Sequence, residues 1–333
     1  MRLGAFASAT DPGRKRRQNE DAFVVRPPLF AIADGMGGAR AGEIASALAA
    51  GALTDAPPDG GGESRVRELI REANRRVHQR ASTDPSTSGM GTTMTVALVE
   101  ADGRVTFGHV GDSRAYRLRN GRLEQLTDDH SLVAELVRRG ELSAADAEVH
   151  PQRSVITRAL GTDPDVDIDA FTVEPETGDI YLLCSDGLSD LVAGEGIEEI
   201  LRTFRNDLDA AARALVRAAN RSGGDDNITT VLFQIVDGAP TAAAEPDERT
   251  RERVVPGDDE DTLHPEDGVR VPASIPAPAD TMVVSAADVG AASAAHAEPE
   301  APQAGLGRRL LALLVIMALI AVIVALVWWG LAR

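Results

Sequence analysis

Acidic residues stand where several apolar segments of this 333-residue sequence end, and each is close to a glycine. Four of them are Asp34 in AIADGMGG, Asp112 in HVGDSRAY, Asp186 in LLCSDGLSD and Asp226 in GGDDNIT. A further candidate pair, Glu20 and Asp21, ends RRQNED just before another short apolar run. Carboxylates at strand ends can converge on one edge of a sheet sandwich, so these residues are candidates for a shared site.

A shared site of carboxylates needs positive charge, because two unit charges 4 Å apart repel by about 4 kcal/mol at an effective dielectric constant of 20. Divalent cations would supply it, and oxygen ligands without clustered histidine or cysteine favour Mg²⁺ or Mn²⁺ over Zn²⁺. Gly35 has no Cβ, so the backbone after Asp34 can turn sharply and offer the Gly35 carbonyl as another ligand. An ordinary turn aspartate is the better interpretation of any one position, but a poor one of all four together.

Short β-rich apolar runs must position these carboxylates, and helical patterns lie between them. The predicted strands are 29–33, 93–99, 105–110, 114–119, 179–184 and 228–236, and the predicted helices are 41–53, 64–81, 131–140 and 207–220. Asp-Gly at 102–103 and Asn-Gly at 120–121 favour two-residue hairpin turns. The sequence therefore predicts an α+β fold with an antiparallel, hairpin-rich sheet and with helices in separate layers.

Eight short motifs follow one another along the first 236 residues. They are RxxxED (16–21), DGMGG (34–38), GTT (91–93), VGDSRAY (110–116), LTDDHS (126–131), ITRALG (156–161), SDG (185–187) and DDNIT (225–229). Any one is a weak signal, but eight in register are very specific. Through them the chain resembles the metal-dependent protein phosphatases of type 2C, the PPM family. The resemblance implies a β-sandwich of antiparallel sheets flanked by helices, and hydrolysis of phosphoserine and phosphothreonine in proteins by a metal-activated water.

The resemblance also implies a set of metal ligands. Asp34 would bridge two ions, with the Gly35 carbonyl on one of them and Asp186 and Asp226 on the other. Asp112 would help Asp186 to hold a third, weaker ion, as in bacterial members of the family. The expected cofactor is Mn²⁺ or Mg²⁺, with two or three ions per domain.

The same resemblance assigns the residues around the metal ligands. Glu20 and Asp21 would act mostly through metal-bound water. Arg16, four residues before Glu20, matches the family's phosphate-binding arginine, and a planar guanidinium can hold two phosphate oxygens at once. Arg17 is the alternative if the register shifts by one residue, and Arg14 and Lys15 are interpreted as part of a solvated basic loop.

The proton donor for the leaving alkoxide is left open by the sequence. Many eukaryotic members have a histidine after the DG pair, but here Met36 stands there, and methionine cannot transfer a proton. Either a water of the metal site or another group would donate the proton. His130 is one candidate, but the preferred interpretation is a structural role in the segment 128–161, which matches the flap segment of the family. Cys184 is no nucleophile of a cysteine phosphatase, because Asp190 stands where such a loop has arginine.

The composition divides the chain into three parts: a phosphatase domain (1–236), a linker (237–304) and a C-terminal anchor (305–333). The linker has no aromatic residue, nine of the 18 prolines, and fifteen acidic against four basic residues, so it is predicted to be disordered. As a flexible chain it would reach about 45 Å. The anchor contains twenty residues, 310–329, without a charge, which is long enough for a helix to span a bilayer core of about 30 Å.

The expected location is the cell membrane, with a single span and the catalytic domain in the cytoplasm. Arg308 and Arg309 precede the span and only Arg333 follows it, which favours a cytoplasmic N-terminal side. The first residues show no apolar run typical of a secretory signal, and the lone cysteine agrees with a reducing compartment.

The expected partners are phosphorylated proteins, above all the membrane Ser/Thr kinases that bacterial relatives oppose and the substrates of those kinases. An acidic catalytic body argues against nucleic acid. Two alternatives are kept: a specialised phosphatase acting on an anti-sigma-factor antagonist, which would be expected to carry a sensor domain, and a pseudophosphatase that serves as an interaction module. The second is disfavoured because Asp34, Asp186 and Asp226 are all present.

Overall fold

The computed structural model describes residues 1–57, 60–238 and 282–283, and its main strands form two antiparallel sheets. The strands are β1 (Arg2–Asp11), β2 (Asp21–Arg26), β3 (Leu29–Met36), β4 (Gly91–Thr92), β5 (Met94–Val99), β6 (Val105–Val110), β7 (Arg114–Arg119), β8 (Arg122–Gln125), β9 (Val155–Ile156), β10 (Asp169–Val173), β11 (Ile180–Cys184), β12 (Ile228–Val236) and β13 (Met282–Val283). One sheet has the order β1-β12-β11-β7-β8, and the other has the order β10-β6-β5-β3-β2, with β4 beside β3.

The two sheets pack face to face around fully buried aromatic side chains. Phe30 of β3 stacks on Phe233 of β12 with ring centroids 4.6 Å apart, and Tyr181 of β11 stacks on Phe233 at 5.0 Å. Phe107 of β6 is also fully buried in this layer. Because large aromatic rings bury much apolar surface, this layer stabilises the sandwich and fixes the strand ends of one sheet against those of the other.

The described residues form the helices α1 (Gly38–Asp55), α2 (Gly62–Thr83), α3 (Leu132–Arg138), α4 (Ala144–Glu148), α5 (Asp186–Ser189), α6 (Gly194–Thr203) and α7 (Leu208–Arg221). The longest helices of this set cover the outer faces of the two sheets. The first two pack on the six-stranded sheet, and α6 and α7 pack on the five-stranded sheet. The α2 face that sequence periodicity predicts is buried as predicted: Val66, Leu69, Ile70, Ala73 and Val77.

The two predicted hairpin turns differ in length. Asn120 (φ 52°) and Gly121 (φ 78°) form a two-residue turn between β7 and β8, as their left-handed conformations allow. The Asp102–Gly103 prediction is wrong by one residue, because the Glu100 N–H donates to the Arg104 carbonyl and three residues form that turn.

The predicted linker and anchor lie outside the described residues, except for residues 237–238 and β13. This two-residue strand pairs in parallel with β9. Within the described part of the chain, no helix is both long enough and apolar enough to cross a bilayer. The predicted span 310–329 lies outside the described residues, so it stays a prediction.

Candidate active site

Asp34 lies near the end of β3, where the GTT motif holds its backbone on both sides. The Asp34 N–H donates to the Thr93 hydroxyl (2.9 Å), and the Asp34 carbonyl accepts from the Thr93 N–H (2.9 Å) and the Thr92 hydroxyl (2.8 Å). Both threonines are fully buried. The backbone of Asp34 is therefore fixed by three hydrogen bonds, none of which uses its carboxylate.

Gly35 is required by close packing rather than by a turn. A Cβ on Gly35 would stand 2.1 Å from the Gly42 carbonyl oxygen of α1 and 2.6 Å from the Glu20 carbonyl oxygen. The sharp turn expected at Gly35 is absent, because β3 continues through Met36 and the positive φ (124°) belongs to Gly37. Glycine at 35 lets α1 and the Glu20 backbone approach the strand that carries Asp34.

Asp21 faces Asp34 in the register of β2 and β3 and connects the two sheets. Its Oδ2 accepts from the Ser185 hydroxyl (2.8 Å) and from the Thr229 hydroxyl (2.6 Å), both of which belong to the five-stranded sheet or its edge. Burial raises the pKa of Asp21 to about 6, which the two hydroxyl donors oppose. Asp21 thus joins the carboxylate cluster while one of its oxygens is already used by the protein.

Asp186 and Asp112 follow strands of opposite sheets and come together at the same edge. Asp186 is the first residue of α5, directly after β11, and Asp112 follows β6. Burial, and next the charge of Asp112, raises the pKa of Asp186 well above its usual range. Burial also raises the pKa of Asp112 to about 7, with Asp129 and Asp190 as the next causes.

The predicted aspartates form one electrostatic cluster around Asp34. Burial raises the pKa of Asp34 well above its usual range, and the further causes are the negative charges of Asp21, Asp186, Asp226 and Asp112, in decreasing order. Every aspartate that sequence spacing singled out therefore acts on Asp34. Because negative charge is in excess there, the cluster binds protons more tightly than separate carboxylates would.

Arg16 brings the nearest positive charge to this cluster. Its guanidinium donates to Asp226 Oδ2 at 2.8 Å, and 31% of its side chain is exposed. Arg16 also opposes the rise that burial causes in the pKa of Glu20. Arg17 is exposed, and Lys15 pairs with Asp225 instead, at 2.7 Å. The structure therefore places Arg16, rather than its basic neighbours, against the carboxylates.

The carboxylate oxygens of the cluster are the kind of ligand that a hard divalent cation prefers, but they do not converge on one point. Three buried carboxylate oxygens have no hydrogen-bond partner: Asp21 Oδ1, Asp112 Oδ1 and Asp186 Oδ1. Among the described residues, no group of three or more His, Cys, Asp or Glu side chains is arranged to hold a metal ion as it stands. Mutual repulsion keeps carboxylates apart, so side-chain rotation would have to accompany cation binding. Unpaired, all-oxygen donors are the ligands that Mg²⁺ and Mn²⁺ prefer.

The proton-transfer and nucleophile candidates have other roles in the structure. His130 is 1% exposed; its Nδ1 accepts from the Gly111 N–H (3.1 Å) and its Nε2 lies 3.1 Å from Asp169 Oδ2. Both ring nitrogens are thus used by the protein, which supports the structural interpretation of His130. Cys184 is fully buried and its pKa is raised to about 12 by burial, so its thiol is not poised as a nucleophile.

Asp190 is a site residue that sequence reasoning missed. It follows α5, four residues after Asp186, and its negative charge raises the pKa of both Asp186 and Asp112. The spacing in SDGLSD could have found it, because residues four apart share one face of a helical turn. Arg114 was missed as well: it pairs with Asp129 at 2.7 Å and its charge opposes the rise in the pKa of Asp112.

Known proteins that are similar to this chain are protein phosphatases. The sequence profile of the family Protein phosphatase 2C matches residues 14–232. The chain is 43% identical over 237 residues to the serine/threonine phosphatase stp of Listeria monocytogenes, covering 68% of this chain and 93% of that protein.

Two solved structures of phosphatases named PstP are similar to this chain in fold. The first is the Mycobacterium tuberculosis serine/threonine phosphatase PstP/Ppp, with a TM-score of 0.66 and 39% identity, covering 71% of this chain and all of that one. The second is the catalytic domain of the serine/threonine protein phosphatase PstP in complex with two manganese ions, with a TM-score of 0.65 and 38% identity. It covers 71% of this chain and 99% of that one.

Proposed function

The chain belongs to the protein phosphatase 2C family and is a metal-dependent protein serine/threonine phosphatase, and we propose that its cations bind at the carboxylate cluster around Asp34. The observation that carries the proposal is the meeting of strand-end aspartates from both sheets at Asp34, where the buried Oδ1 atoms of Asp21, Asp112 and Asp186 have no hydrogen-bond partner. A cluster with this excess of negative charge is stabilised by divalent cations. When bound, two such ions would lower the pKa of a water between them and direct it at phosphorus.

Each residue of the cluster has a proposed part in holding the cations. Asp34 would bridge two Mn²⁺ or Mg²⁺ ions, with the Gly35 carbonyl on one and Asp186 and Asp226 on the other. Asp112 would contribute to a third ion, and its unpaired buried Oδ1 supports that assignment.

Glu20 and Asp21 would act through intervening water. For Asp21 this agrees with an Oδ2 that already accepts from two hydroxyls and an Oδ1 that has no partner. The side chain can keep its contacts to both sheets while its second oxygen faces the cluster. Asp21 would therefore orient the site rather than bind a cation directly.

Arg16 would bind the phosphate group of the substrate. Its guanidinium already lies at the cluster, on Asp226, and a guanidinium can hold two phosphate oxygens at once. Asp226 would hold a cation with the carboxylate that Arg16 contacts, and the Arg16 guanidinium, 31% exposed, would then be able to bind the phosphate.

The proton for the leaving serine or threonine oxygen would come from water. Met36 has no proton to transfer, and His130 uses both of its ring nitrogens in contacts with Gly111 and Asp169. Asp34 itself is only partly buried, so the cluster is open to solvent on one side.

The proposed setting of the reaction is the cytoplasmic face of the cell membrane, opposite transmembrane Ser/Thr kinases. The support is in the sequence alone: an acidic segment of 68 residues follows the domain, and a charge-free run of twenty residues comes after it, with two arginines before it and one after it. Phosphorylated kinases and their substrates would be the proteins that the domain meets there.

The proposal is tested with the full chain and a phosphothreonine peptide, by measuring released phosphate. EDTA should abolish turnover, and Mn²⁺ or Mg²⁺ should restore it. Asp34→Asn should stay inactive at every metal concentration, whereas Asp165→Asn, which changes an exposed aspartate away from the cluster, should behave as wild type. Full turnover of the wild type in EDTA would contradict the metal site.

A further inference from the structure

Asn227 holds the loop that carries Arg16. Its side chain is buried, with 4% exposed, and makes three hydrogen bonds to the backbone of residues 12–20, the connection between β1 and β2. The Oδ1 atom accepts from the Glu20 N–H (2.8 Å), and Nδ2 donates to the Pro12 carbonyl (3.0 Å) and to the Gln18 carbonyl (2.9 Å). Both hydrogens of the amide and its oxygen are therefore used on this one loop, here called the Arg16 loop.

These bonds join the two ends of the Arg16 loop at one point. Pro12 is its first residue, and Gln18 and Glu20 lie on the far side of Arg16. The part before Arg16 has a second attachment, because the Gly224 carbonyl accepts from the Arg14 and Lys15 N–H groups at 2.7 and 3.2 Å. Asn227 thus closes a loop around Arg16, and its side chain is the attachment shared by both ends.

We propose that Asn227 is a positioning residue for phosphate binding, which acts by holding Arg16 at the carboxylate cluster. The proposal rests on the proposed role of Arg16 as the group that binds phosphate. An arginine side chain carries much rotational freedom, and a fixed backbone on either side limits the volume in which its guanidinium moves. The three hydrogen bonds of the Asn227 side chain go to the backbone of the Arg16 loop, so its effect on binding would pass through the loop.

Replacing Asn227 by alanine would leave the neighbouring metal ligand attached. The contact between the two residues is a backbone one: the Asn227 N–H donates to Asp226 Oδ1 at 2.8 Å, and alanine keeps this donor. Asn227→Ala therefore removes the three bonds to the Arg16 loop and retains the bond to Asp226.

Asn74 of α2 provides a matched control, because it makes the same three bonds to a different loop. Its Oδ1 accepts from the Gly161 N–H (2.7 Å), and its Nδ2 donates to the Asp163 and Pro164 carbonyls (3.0 Å each). The side chain of Asn74 is 2% exposed. Asn74→Ala should thus cost a similar amount of stability and leave the Arg16 loop as it is.

The experiment measures KM and kcat for a phosphothreonine peptide, and Ki for inorganic phosphate, in the full chain at saturating Mn²⁺. We expect Asn227→Ala to raise KM and Ki about tenfold, since displacement of a binding group by about 1 Å can cost up to 10²-fold. Asn74→Ala should lower Tm by a similar amount and leave both constants within about twofold. Arg16→Ala should raise KM, and adding Asn227→Ala to it should raise KM no further, because the two act as one unit.

A second readout uses the metal-free protein and needs no activity. Amide hydrogen exchange at Glu20 should accelerate in Asn227→Ala, and exchange at Gly161 should accelerate in Asn74→Ala. Asn227→Ser, with its small polar side chain, replaces the alanine variant if that variant does not fold.

Two results would overturn the inference: an Asn227→Ala variant whose KM and Ki match those of Asn74→Ala, or a double variant whose KM rises by the product of the single effects. An Arg16→Ala variant with unchanged KM would instead contradict the proposed phosphate-binding role itself. The two failures are therefore distinguishable.

Discussion

The ionised carboxylate of Asp34 lowers the stability of the folded domain when no cation is bound. Its pKa in the folded chain is raised above the ordinary value, so the folded metal-free domain binds this proton more tightly than the unfolded chain does. Stability is then highest below the unfolded pKa of about 4 and falls as the pH rises towards the folded pKa. The same sign applies to Asp21, up to about pH 6, and to Asp112, up to about pH 7.

Asp34→Asn should therefore separate stability from activity. In EDTA at pH 7.5 the variant should melt above the wild type by about 2 to 4 °C, which corresponds to about 1 kcal/mol in a domain of this size. At pH 4.5 the difference should shrink, because the raised pKa means that a larger fraction of wild-type Asp34 is protonated there than at pH 7.5. Turnover with Mn²⁺ should fall by at least about 10²-fold. Calorimetry at the two pH values and a peptide assay measure both effects, and a variant that melts below the wild type at pH 7.5 would contradict the repulsion.

Sequence alone predicts the acidic residues of the site and misses most of the residues that support them. The aspartates at strand ends could be found because each stands at a local change from an apolar run to a glycine turn. Asn227 and Ser185 gave no such signal, although both lie inside recognised motifs. The bond from Ser185 to Asp21 and the bonds from Asn227 to residues 12–20 join residues that are 164 to 215 positions apart. Such contacts form only when the two sheets pack together.

At the scale of the elements, two buried histidines connect the six-stranded sheet to the part of the flap segment that precedes α3. His109 of β6 and His130 have ring centroids 4.7 Å apart. Since His130 Nδ1 accepts a backbone N–H, its proton is on Nε2, towards Asp169. Burial lowers the pKa of His130 to about 3, with the neighbouring His109 as the next cause, and burial lowers that of His109 to about 4. The other charged groups that act on the pair are Asp129, Asp169 and Arg158.

This pair should make the domain sensitive to acid. A lowered histidine pKa means that the unfolded chain takes up protons first, so stability is lost as the pH falls below about 6.5. We expect His109→Gln to lose less stability than the wild type between pH 6.5 and 4.5, by up to about 1.4 kcal/mol per pH unit for one proton. Urea denaturation at pH 7.5, 6.5, 5.5 and 4.5 tests this, with pH 7.5 as the reference at which the imidazoles are neutral. Parallel curves for the two proteins would contradict it.

Strands and helices could be predicted where burial is regular along the chain. The predicted bounds of β6, β7 and β12 agree with the structure, and these strands are mostly or alternately buried. β1 was missed: Ala7 is its only buried residue, its larger apolar residues Leu3 and Phe6 are not buried, and its pairing with β12 shifts register between those two residues. A strand of this kind is determined by its partner rather than by its own periodicity.

At the scale of the whole molecule, the charge-free run at 310–329 predicts a membrane anchor. We expect the catalytic domain to hydrolyse peptide substrates equally well without it. Deleting residues 305–333 should move the protein from the membrane fraction to the soluble fraction, with kcat and KM on a phosphothreonine peptide unchanged. Deleting residues 287–304 instead retains the apolar run and should leave the protein in the membrane fraction. A truncated protein that still sediments with membranes would contradict the anchor.

The same anchor should orient the domain towards the cytoplasm, because Arg308 and Arg309 precede the run and only Arg333 follows it. Protease added to intact spheroplasts should therefore leave the domain whole, and disruption of the membrane should expose it to cleavage. In cells, the truncated enzyme should dephosphorylate membrane kinases more slowly than the full chain does, since a tether raises the effective concentration of enzyme near them without any new contact. Equal rates for a soluble phosphoprotein serve as the control. Digestion of the domain in intact spheroplasts would contradict the cytoplasmic orientation. The domain could then not act on the cytoplasmic domains of membrane kinases.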